Sequence, residues 1–387
     1  MKGVKRAFFL LLVLFLYSCA TTQTPVAVAE KEPEKLQEIA KAPDFVTIIA
    51  VGDNLFHTAM IQSGEEGDYG QAYLEILPLI KNADIAFINQ ETLLAGKEYG
   101  FSGYPLFNTP QQVGRALSSS GFNLVNHATN HIMDKGEKAV FATMDFWDTI
   151  PELTILGIHR SGEERALPCL IKKNNVTLGF LSYTYGTNGI RVPGDKPYLV
   201  SLINTEIMAE EIDAIRPLCD FLVVSMHWGE EYRHVYSKNQ EILAAFLAEH
   251  SVDLVIGHHP HFVQPVEYIE RPDGKNMLCF YSLGNLISAQ ILPPTMLGAM
   301  AYIKIKKDSS TPEAGFDLVD AGAIPLVTHY EKNYSNFKVY PLYAYTEELA
   351  EKHVKKEITL NYLKDLAVKV LGDKEMLYNP FMPGPER

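Results

Sequence analysis

The sequence predicts an α/β (α+β) fold in which helices cover a mixed or mainly parallel β-sheet. Short apolar runs typical of buried strands alternate with segments of helical periodicity, and this alternation favours such a sheet over a β-sandwich. Polar clusters follow the runs, at the position where open α/β sheets bind ligands. The composition, 47% hydrophobic and 21% charged, excludes wholesale disorder and a multi-span membrane protein.

The N-terminus has the features of a bacterial export signal. The cationic segment Met1–Arg6 precedes the apolar segment Ala7–Leu16, and Leu-Tyr-Ser-Cys at residues 16–19 matches the lipobox pattern. The apolar segment is short for a permanent transmembrane helix, so we expect residues 1–19 to be a lipoprotein signal peptide that is cleaved before a lipidated Cys19. An uncleaved anchor is the alternative. Both place the folded part outside the cytoplasm, in the periplasm or at the cell surface.

Composition also predicts the domain organisation. Residues 20–43 contain Thr, Pro, Ala, Glu and Lys without an apolar period, which is typical of a flexible tether. We expect the main domain at residues 44–300, and a C-terminal extension of β segments and a helix at residues 301–387. The 34 basic residues against 47 acidic ones argue against a nucleic-acid partner. The other three cysteines lie in apolar contexts and are expected to be core thiols rather than metal ligands.

The individual elements follow from periodicity and turn residues. Strands are predicted at Phe45–Val51, Asp84–Ile88, Phe122–Val125, Phe221–Ser225 and Asp253–Ile256. Helices are predicted at Gln71–Lys81, Pro110–Ser119, Glu137–Asp148, Thr205–Ile215 and Lys238–Glu249. The segment Leu170–Tyr185 predicts a hairpin that turns at Asn174-Asn175. Further β segments are expected at 299–343, followed by one amphipathic helix at Glu347–Leu371.

Five polar clusters follow the predicted strands and indicate a metal-centred active site. Acid, amide and imidazole groups at successive strand ends converge at one edge of a sheet, as the ligands of a metal site must. The clusters are Gly52-Asp53-Asn54-Leu55-Phe56-His57, Asn89-Gln90-Glu91, Asn126-His127-Ala128-Thr129-Asn130-His131, His227-Trp228-Gly229-Glu230-Glu231-Tyr232 and Gly257-His258-His259-Pro260-His261. The series predicts an enzyme.

The first and last clusters contain the strongest candidate ligands. The Asp53 carboxylate suits a hard or borderline metal and would hold His57 nearby, although a helix N-cap is the alternative role for Asp53. His259 and His261 are two residues apart, so in an extended segment both imidazoles face the same side. Their alternative is a pair of exposed loop histidines. In that geometry His258 points the other way, where it would support the ligands from behind or pack in the core.

The middle clusters add charge and a proton donor. Glu91 supplies negative charge for a cation, and Asn89 shares its face of the strand. The Asn130 oxygen can bind metal, while the adjacent His131 can protonate a leaving group. Asp134 has the spacing of a capping box with Glu137 and is therefore predicted to cap a helix.

His227 directly follows a predicted strand, which is again a ligand position. Glu230, Glu231 and Tyr232 come after it, where they would orient ligands or contact the substrate. Asn89 is a further predicted substrate contact. Trp228 is expected to be a packing wall or a platform for a ligand. A serine-hydrolase site at Ser282 is disfavoured because no Gly-x-Ser-x-Gly elbow surrounds it.

Together the motifs resemble the CapA family of poly-γ-glutamate capsule-synthesis proteins, from about Phe45 to Ser288. The match also includes Tyr185-Gly-Thr-Asn-Gly189, Gln240 and Tyr281-Ser-Leu-Gly-Asn285. That family is similar to the calcineurin-like metallophosphoesterases, so the resemblance implies a β-sandwich of two packed sheets flanked by helices, with a two-metal site. By the resemblance, His131 would be the proton donor and the metal ligands would be Asp53, Glu91, Asn130, His227, His259 and His261.

Two features depart from the metallophosphoesterase pattern. Those enzymes have Asp-x-His in the first motif, whereas here His57, a second candidate catalytic residue, follows Asp53 by four positions. Their bridging aspartate is replaced by Glu91, whose side chain is longer.

Two hypotheses of different classes follow. The first is a membrane-anchored, metal-dependent hydrolase that acts on a cell-envelope or capsule component through one or two divalent ions, with Mn, Zn or Fe expected. The second is a non-catalytic accessory subunit that binds an anionic polymer such as poly-γ-glutamate and helps to export or anchor it. Expected partners are the membrane, through the lipid anchor, and the capsule-synthesis machinery.

Overall fold

The computed structural model describes residues 45–64, 68–307, 316–372 and 377. The predicted signal peptide, Cys19 and the tether lie outside these described residues. The strands are β1 (Phe45–Leu55), β2 (Ile85–Gln90), β3 (Leu124–Asn126), β4 (Thr154–Leu156), β5 (Cys169–Lys173), β6 (Val176–Thr184), β7 (Phe221–His227), β8 (Leu254–His258), β9 (Val266–Glu270), β10 (Asn276–Phe280), β11 (Asn285–Ser288), β12 (Leu297–Lys307), β13 (Phe316–Glu331) and β14 (Ser335–Pro341).

The described α-helices are mostly short and lie between these strands or after the last one. They are α1 (Thr58–Ser63), α2 (Leu77–Lys81), α3 (Gln111–Ser120), α4 (Glu137–Trp147), α5 (Gly162–Arg165), α6 (Thr205–Ile215), α7 (Lys238–Glu249), α8 (Glu347–Lys352) and α9 (Leu360–Leu371). Short 3₁₀-helices also occur, and the longest of the described ones is at Tyr69–Ile76. In the described part of the chain, no helix is both long and apolar enough to cross a membrane.

The strands form two sheets rather than one. The first sheet has the order β14-β13-β12-β1-β2-β3-β4, with β11 also paired to β1, and the second has the order β5-β6-β7-β8-β10-β9. The strands β1 to β4 run parallel to one another, as do β6, β7 and β8. The single sheet predicted from alternation was therefore wrong, and the two-sheet arrangement implied by the resemblance is confirmed.

The main core lies between the two sheets. Inward-facing side chains of the first sheet, including Ile48 and Phe87, share one buried cluster with Phe180, Val223 and Ile256 of the second sheet. Opposite faces carry further clusters, where α3 and α4 cover the first sheet and α6 and α7 cover the second. Because both faces of the central strands are buried, their sequences are continuous apolar runs.

The C-terminal segment completes the first sheet. The strand β12 pairs antiparallel with β1, and β13 and β14 follow in a meander. Leu363 and Ala367 of α9 belong to the same buried cluster as the sheets. The described residues after 300 therefore share their core with the preceding strands.

Three local predictions can be compared directly with the described elements. The hairpin is confirmed: β5 and β6 are joined by Asn174 and Asn175, both with positive φ as a two-residue hairpin turn requires. The helix predicted at Gln71–Lys81 is wrong in its first half, which is 3₁₀-helical, because Pro78 in the first turn of α2 has no N–H to continue an α-helical ladder.

The single helix predicted after residue 347 was also wrong. It is divided into α8 and α9, because the buried His353 ends α8 and Thr359 caps α9 by accepting a hydrogen bond from the Tyr362 N–H.

The carboxyl ends of the parallel strands in both sheets meet at one edge of the sandwich, and the five polar clusters lie there. Gly52 makes the close approach at this edge possible, since a Cβ atom there would lie 2.0 Å from the Gly284 carbonyl oxygen. The adjacent Asp53 N–H donates to the same carbonyl at 2.9 Å. The glycine thus brings the end of β1 against the start of β11.

Candidate metal centre and active site

Two groups of buried ligand atoms lie side by side at this edge, and they share one residue. Glu91, His227 and His259 form one group, and Asp53, Glu91 and His261 form the other, with the ligand atoms of each group within 4.8 Å of one another. Glu91 Oε1 lies 3.9 Å from both His227 Nε2 and His261 Nε2. The five side chains come from the ends of four strands in two sheets. The arrangement places Glu91 where it could bridge two cations.

Glu91 is held in an environment that suits a cation. It is fully buried, and neither carboxylate oxygen has a hydrogen-bond partner among the described residues. Burial, followed by the neighbouring Asp53 carboxylate, raises the pKa of Glu91 well above its usual value. Buried carboxylates are normally paired or coordinate metals, because an isolated one loses its hydration without compensation. Two buried oxygens without hydrogen bonds in the described structure, beside imidazole nitrogens of both ligand groups, therefore suit a bound cation.

Asp53 is fixed by a chain of hydrogen bonds that crosses the sheet edge. Asn89 Nδ2 donates to Asp53 Oδ1 at 2.8 Å, and Asn126 Nδ2 donates to Asn89 Oδ1 at 2.7 Å. The Ser182 hydroxyl of the second sheet donates to Asn126 Oδ1. The three strand residues are register neighbours on β1, β2 and β3, so the strand pairing itself aligns the chain. The structure does not place Asp53 as a helix N-cap.

Asn89 lies beneath the candidate ligands rather than at the surface of a cleft. Its side chain is fully buried and its amide is engaged by Asp53 and Asn126. The predicted substrate contact at Asn89 therefore corresponds to a residue that positions Asp53.

His259 and His261 reach the site by a different backbone route from the one predicted. Their φ angles are 97° and 59°, in the left-handed region, so the extended segment expected after β8 was wrong. The rings nevertheless both enter the site, with centroids 6.1 Å apart, and each joins a different ligand group. Backbone strain of this kind is retained where the surrounding structure enforces it, typically at functional sites. His258 is fully buried and stacks on Phe87, and its Nδ1 lies 3.6 Å from Asp53 Oδ1, so it packs beneath the site and also faces a candidate ligand.

The orientation of His261 is set by its Nδ1 atom. This nitrogen lies 3.0 Å from Asp53 Oδ2 and 3.1 Å from Asn285 Oδ1, which leaves Nε2 directed towards Glu91. Burial alone would lower the pKa of His261, but Glu91 and Asp53 outweigh it and raise the pKa to about 9. A cation would replace this proton between the two carboxylates.

In the ligand group formed by Glu91, His227 and His259, the two histidines are uncharged. Burial and the neighbouring imidazoles lower the pKa of His227 well below its usual value, and burial lowers the pKa of His259 to about 3. Asn130 Oδ1 lies 2.9 Å from His227 Nε2, and Asn130 Nδ2 donates to Asn188 Oδ1 at 3.2 Å. Neutral imidazoles are the metal-binding form, so this group is ready to receive a cation.

His131 forms a buried dyad with a residue that was assigned another role. Its Nδ1 lies 2.7 Å from Asp134 Oδ2, and the same oxygen accepts the Phe107 N–H at 2.7 Å. The predicted helix cap at Asp134 was therefore wrong: α4 begins at Glu137 after Gly136, without a side-chain cap. With Nδ1 bound to a carboxylate, Nε2 of His131 is the ring nitrogen left to exchange a proton in the cleft.

A cleft of about 820 Å³ opens above the ligand groups, and His57, His131, Tyr232 and His261 line it. His57 lies at its wall, where Nδ1 is 3.1 Å from the Leu55 carbonyl oxygen, and burial lowers the pKa of His57 to about 4. Within the described residues, the candidate ligand groups do not include His57, in keeping with the irregular first motif. His57 is thus near the ligands without joining either group.

The two glutamates after β7 point in different directions. Glu230 is exposed and pairs with Arg233 at 3.6 Å, away from the cleft, whereas Glu231 lines the cleft beside Tyr232. Glu230, a predicted substrate contact, therefore lies outside the cleft, and Glu231 lines the cleft instead.

Four residues of the site were given no role in it from the sequence, although Asn126 and Asn285 lie within the sequence motifs. Asp134 follows His131 by three positions, a spacing that on a turn allows the two side chains to meet. Asn285 aligns with Asp53 across parallel strands, which becomes visible only once β11 is known to pair with β1. Asn126 and Ser182 meet across the two sheets, and no sequence spacing predicts that contact.

The donor set fits borderline divalent metals. Three imidazoles, two carboxylates and an amide oxygen are nitrogen and oxygen ligands of the kind that bind Mn, Fe or Zn. Glu91 lacks any other buried partner, as does His259 Nδ1, among the described residues. The residues present therefore fit one or two divalent ions, with Glu91 common to both positions.

We expect Ser182→Ala to weaken metal binding about 10-fold or more, because it removes the last donor of the chain that positions Asp53. The matched control is Ser225→Ala. Ser225 is the register neighbour of Ser182 on β7, it is buried, and its hydroxyl has no partner in the described structure. Calorimetric titration with Mn²⁺ or Zn²⁺ would measure both variants. Equal affinities in the two variants would contradict a positioning role for Ser182.

Comparisons with known proteins agree with the motif series. The family model "Bacterial capsule synthesis protein PGA_cap" matches residues 47–290, more than half of the chain. Capsule biosynthesis protein CapA of Bacillus anthracis is 28% identical over 280 residues, covering 70% of this chain and 64% of that protein. PGA biosynthesis protein CapA of Bacillus subtilis (strain 168) is 24% identical over 271 residues, covering 69% of this chain and 70% of that protein. The chain thus spans slightly less than two thirds of the first relative.

Solved structures overlap this fold more loosely. A 5′-nucleotidase precursor from Thermus thermophilus is 12% identical with a TM-score of 0.44, covering 73% of this chain and 54% of that chain. NAD nucleotidase of Haemophilus influenzae is 10% identical with a TM-score of 0.44, covering 86% of this chain and 63% of that chain.

Proposed function

Because the chain belongs to the family of bacterial capsule synthesis proteins PGA_cap, we propose that it is a capsule-biosynthesis protein that hydrolyses a cell-envelope substrate at a metal centre. The family assignment confirms the resemblance to CapA proteins. Hydrolysis at a phosphoryl or amide centre is the reaction that a site of this composition supports best.

The observation that carries the proposal is the position of Glu91. Its two oxygens are buried without partners, among the described residues, between two histidine-containing ligand groups. A purely structural carboxylate at such a position would destabilise the fold, since burying a charge without a partner is costly. Divalent cations held beside Glu91 would remove this cost and would supply the charge stabilisation that hydrolytic displacement needs.

Each group of residues has a part in the proposed reaction. When bound, divalent ions at such a site polarise the scissile centre and lower the pKa of water enough for attack at neutral pH. Glu91 and Asp53 supply the negative charge that holds the ions, while His227, His259 and His261 contribute neutral donors. His131, oriented by Asp134, donates a proton to the leaving group from Nε2.

The proposal also includes the place of action. The lipobox pattern ending at Cys19 supports export and anchoring to a membrane by lipid, which would hold the site against the cell envelope. Association with capsule-synthesis machinery and contact with an anionic capsule polymer are the partners that accord with the family.

Metal analysis of the purified protein tests the proposal. We expect wild type to contain Mn, Zn or Fe, and the His259→Ala/His261→Ala variant, which loses one ligand from each group, to bind metal at least about a hundredfold more weakly. His250→Ala is the matched control, since His250 lies at the end of α7 and faces Asp213 at 3.5 Å. Equally little metal in wild type and in the double variant would remove the basis of the catalytic hypothesis.

The same preparations separate the enzyme from an accessory subunit. An enzyme should turn over phosphoesters or γ-glutamyl amides only when metal is bound. Binding of poly-γ-glutamate that persists after chelation, together with no turnover of either substrate class, would favour the accessory role.

A further inference from the structure

The cleft above the candidate metal centre is walled by exposed apolar side chains. We call these five side chains the apolar rim: Tyr104, Leu106, Tyr232, Ile291 and Leu292. Tyr104 is 78% exposed and Ile291 is 63% exposed, values at which a large apolar side chain gains little from folding. The same cavity includes His131 and His261, so the rim is continuous with the candidate catalytic groups.

The rim is assembled from three separate parts of the chain. Tyr104 and Leu106 precede α3, Tyr232 follows β7, and Ile291 and Leu292 follow β11. Single exposed apolar residues are normal on protein surfaces, but a cluster of them around a cavity marks a binding site. The convergence of three segments on one cavity therefore indicates an apolar ligand surface.

The charge of the cleft restricts what binds there. No Lys or Arg is among the described residues that line it, while Glu231 adds a carboxylate. A substrate with several anionic groups would bring charges that no cationic side chain of the cleft could pair. A ligand with one anionic group, placed at the metal ligands, and an uncharged remainder avoids this penalty.

We propose that the apolar rim binds the alcohol portion of the substrate, and that the substrates are phosphate esters of apolar alcohols. This inference rests on the proposed hydrolytic function and names its substrate class. In the reaction the oxygen of water bonds to phosphorus and the ester P–O bond breaks. The leaving oxygen takes a proton from His131 Nε2, the attacking water gives up one proton to the solvent, and His131 regains a proton from the solvent. The products are the free apolar alcohol and inorganic phosphate.

A series of phosphate monoesters tests the inference on the full chain loaded with Mn²⁺ or Zn²⁺. Hexyl phosphate and naphthylethyl phosphate represent alkyl and aromatic alcohols with similar leaving oxygens, and methyl phosphate and AMP are the comparisons. We expect kcat/KM at least about tenfold higher for one or both apolar esters than for methyl phosphate, since one methylene in a pocket changes discrimination by about tenfold or more. The better of the two distinguishes an alkyl from an aromatic source.

Variants of the rim provide the second measurement. Tyr104→Ser and Ile291→Ser should lower kcat/KM for the apolar esters about tenfold and leave methyl phosphate unchanged. Val235→Ser is the matched control, because Val235 is 76% exposed and is not among the residues that line the cleft. Both positions of the rim are on the surface, so the variants should fold normally.

Binding of the corresponding phosphonates, which cannot be hydrolysed, separates this inference from the proposed function. Tighter binding of hexyl or naphthylethyl phosphonate than of methyl phosphonate, lost in the rim variants, supports the rim whether or not an ester is turned over. Similar kcat/KM values for all esters, a preference for AMP, or rim variants that lose affinity equally for all ligands would overturn the inference. Each of these results would leave metal-dependent hydrolysis intact. Absence of turnover for every ester with metal bound would overturn the assignment of phosphate esters as substrates, and metal-dependent turnover of γ-glutamyl amides would then keep the proposed function.

Discussion

Glu91→Gln should remove the second metal position and lower kcat/KM at least about a hundredfold. Glu91 is the residue common to both ligand groups, and its oxygens have no other partner in the described structure. An amide has the same shape but carries no charge and offers only one oxygen, so it cannot neutralise two cations. Metal analysis and calorimetric titration would show the stoichiometry fall together with the activity.

In the metal-free protein, Glu91→Gln should stabilise the fold. A buried carboxylate without partners destabilises the fold, so Glu91→Gln should raise the free energy of unfolding by about 1–3 kcal/mol in the presence of a chelator. Denaturant unfolding with chelator and with excess metal measures how the substitution changes the free energy of unfolding in each condition. Glu230→Gln is the control, because Glu230 is exposed and pairs only with Arg233 among the described residues. A metal-free variant less stable than wild type would assign Glu91 a structural role instead.

The convergence of the candidate ligands could be predicted from the sequence because it depends on which residues directly follow each buried strand. A buried strand is an apolar run, and the residue after it lies at the sheet edge whichever neighbours the strand has. Asp53, Glu91 and His227 were found in this way. The division into two sheets could not be predicted, because β2 and β8 are both fully buried, mainly apolar strands although they belong to different sheets.

Contacts between the two sheets also could not be predicted from the spacing of residues in the sequence. Ser182 reaches Asn126 from the second sheet, and its contact depends on how the sheets pack. Asp134 shows a different limit. A capping spacing and a turn that brings Asp134 against His131 are both local solutions, and burial of the carboxylate beside the imidazole decides between them. The resemblance supplied the roles of the ligands, but not the residues that hold them in place.

His131→Gln should lower kcat about 10²–10⁴-fold while leaving the metal content unchanged, because His131 belongs to neither ligand group. The loss should be largest for an alkyl ester, whose leaving oxygen needs a proton, and smaller for a nitrophenyl ester, whose leaving group departs as an anion. Steady-state kinetics on the two esters measure this difference. An equal loss on both would mean that His131 positions the substrate rather than donating the proton.

Variants of Asp134 and His57 also test which residue donates the proton. Asp134→Asn should show the same dependence on leaving group with a smaller loss, since an amide still accepts the Phe107 N–H but no longer orients and stabilises a protonated imidazole. His57→Gln should show no such dependence, because burial lowers the pKa of His57 to about 4 and leaves it without a proton to donate near neutral pH. A leaving-group effect confined to His57→Gln would transfer the role of proton donor to His57. The two histidines line one cleft, and of the two His131 is the one oriented by a carboxylate, which is why the proton is assigned to it.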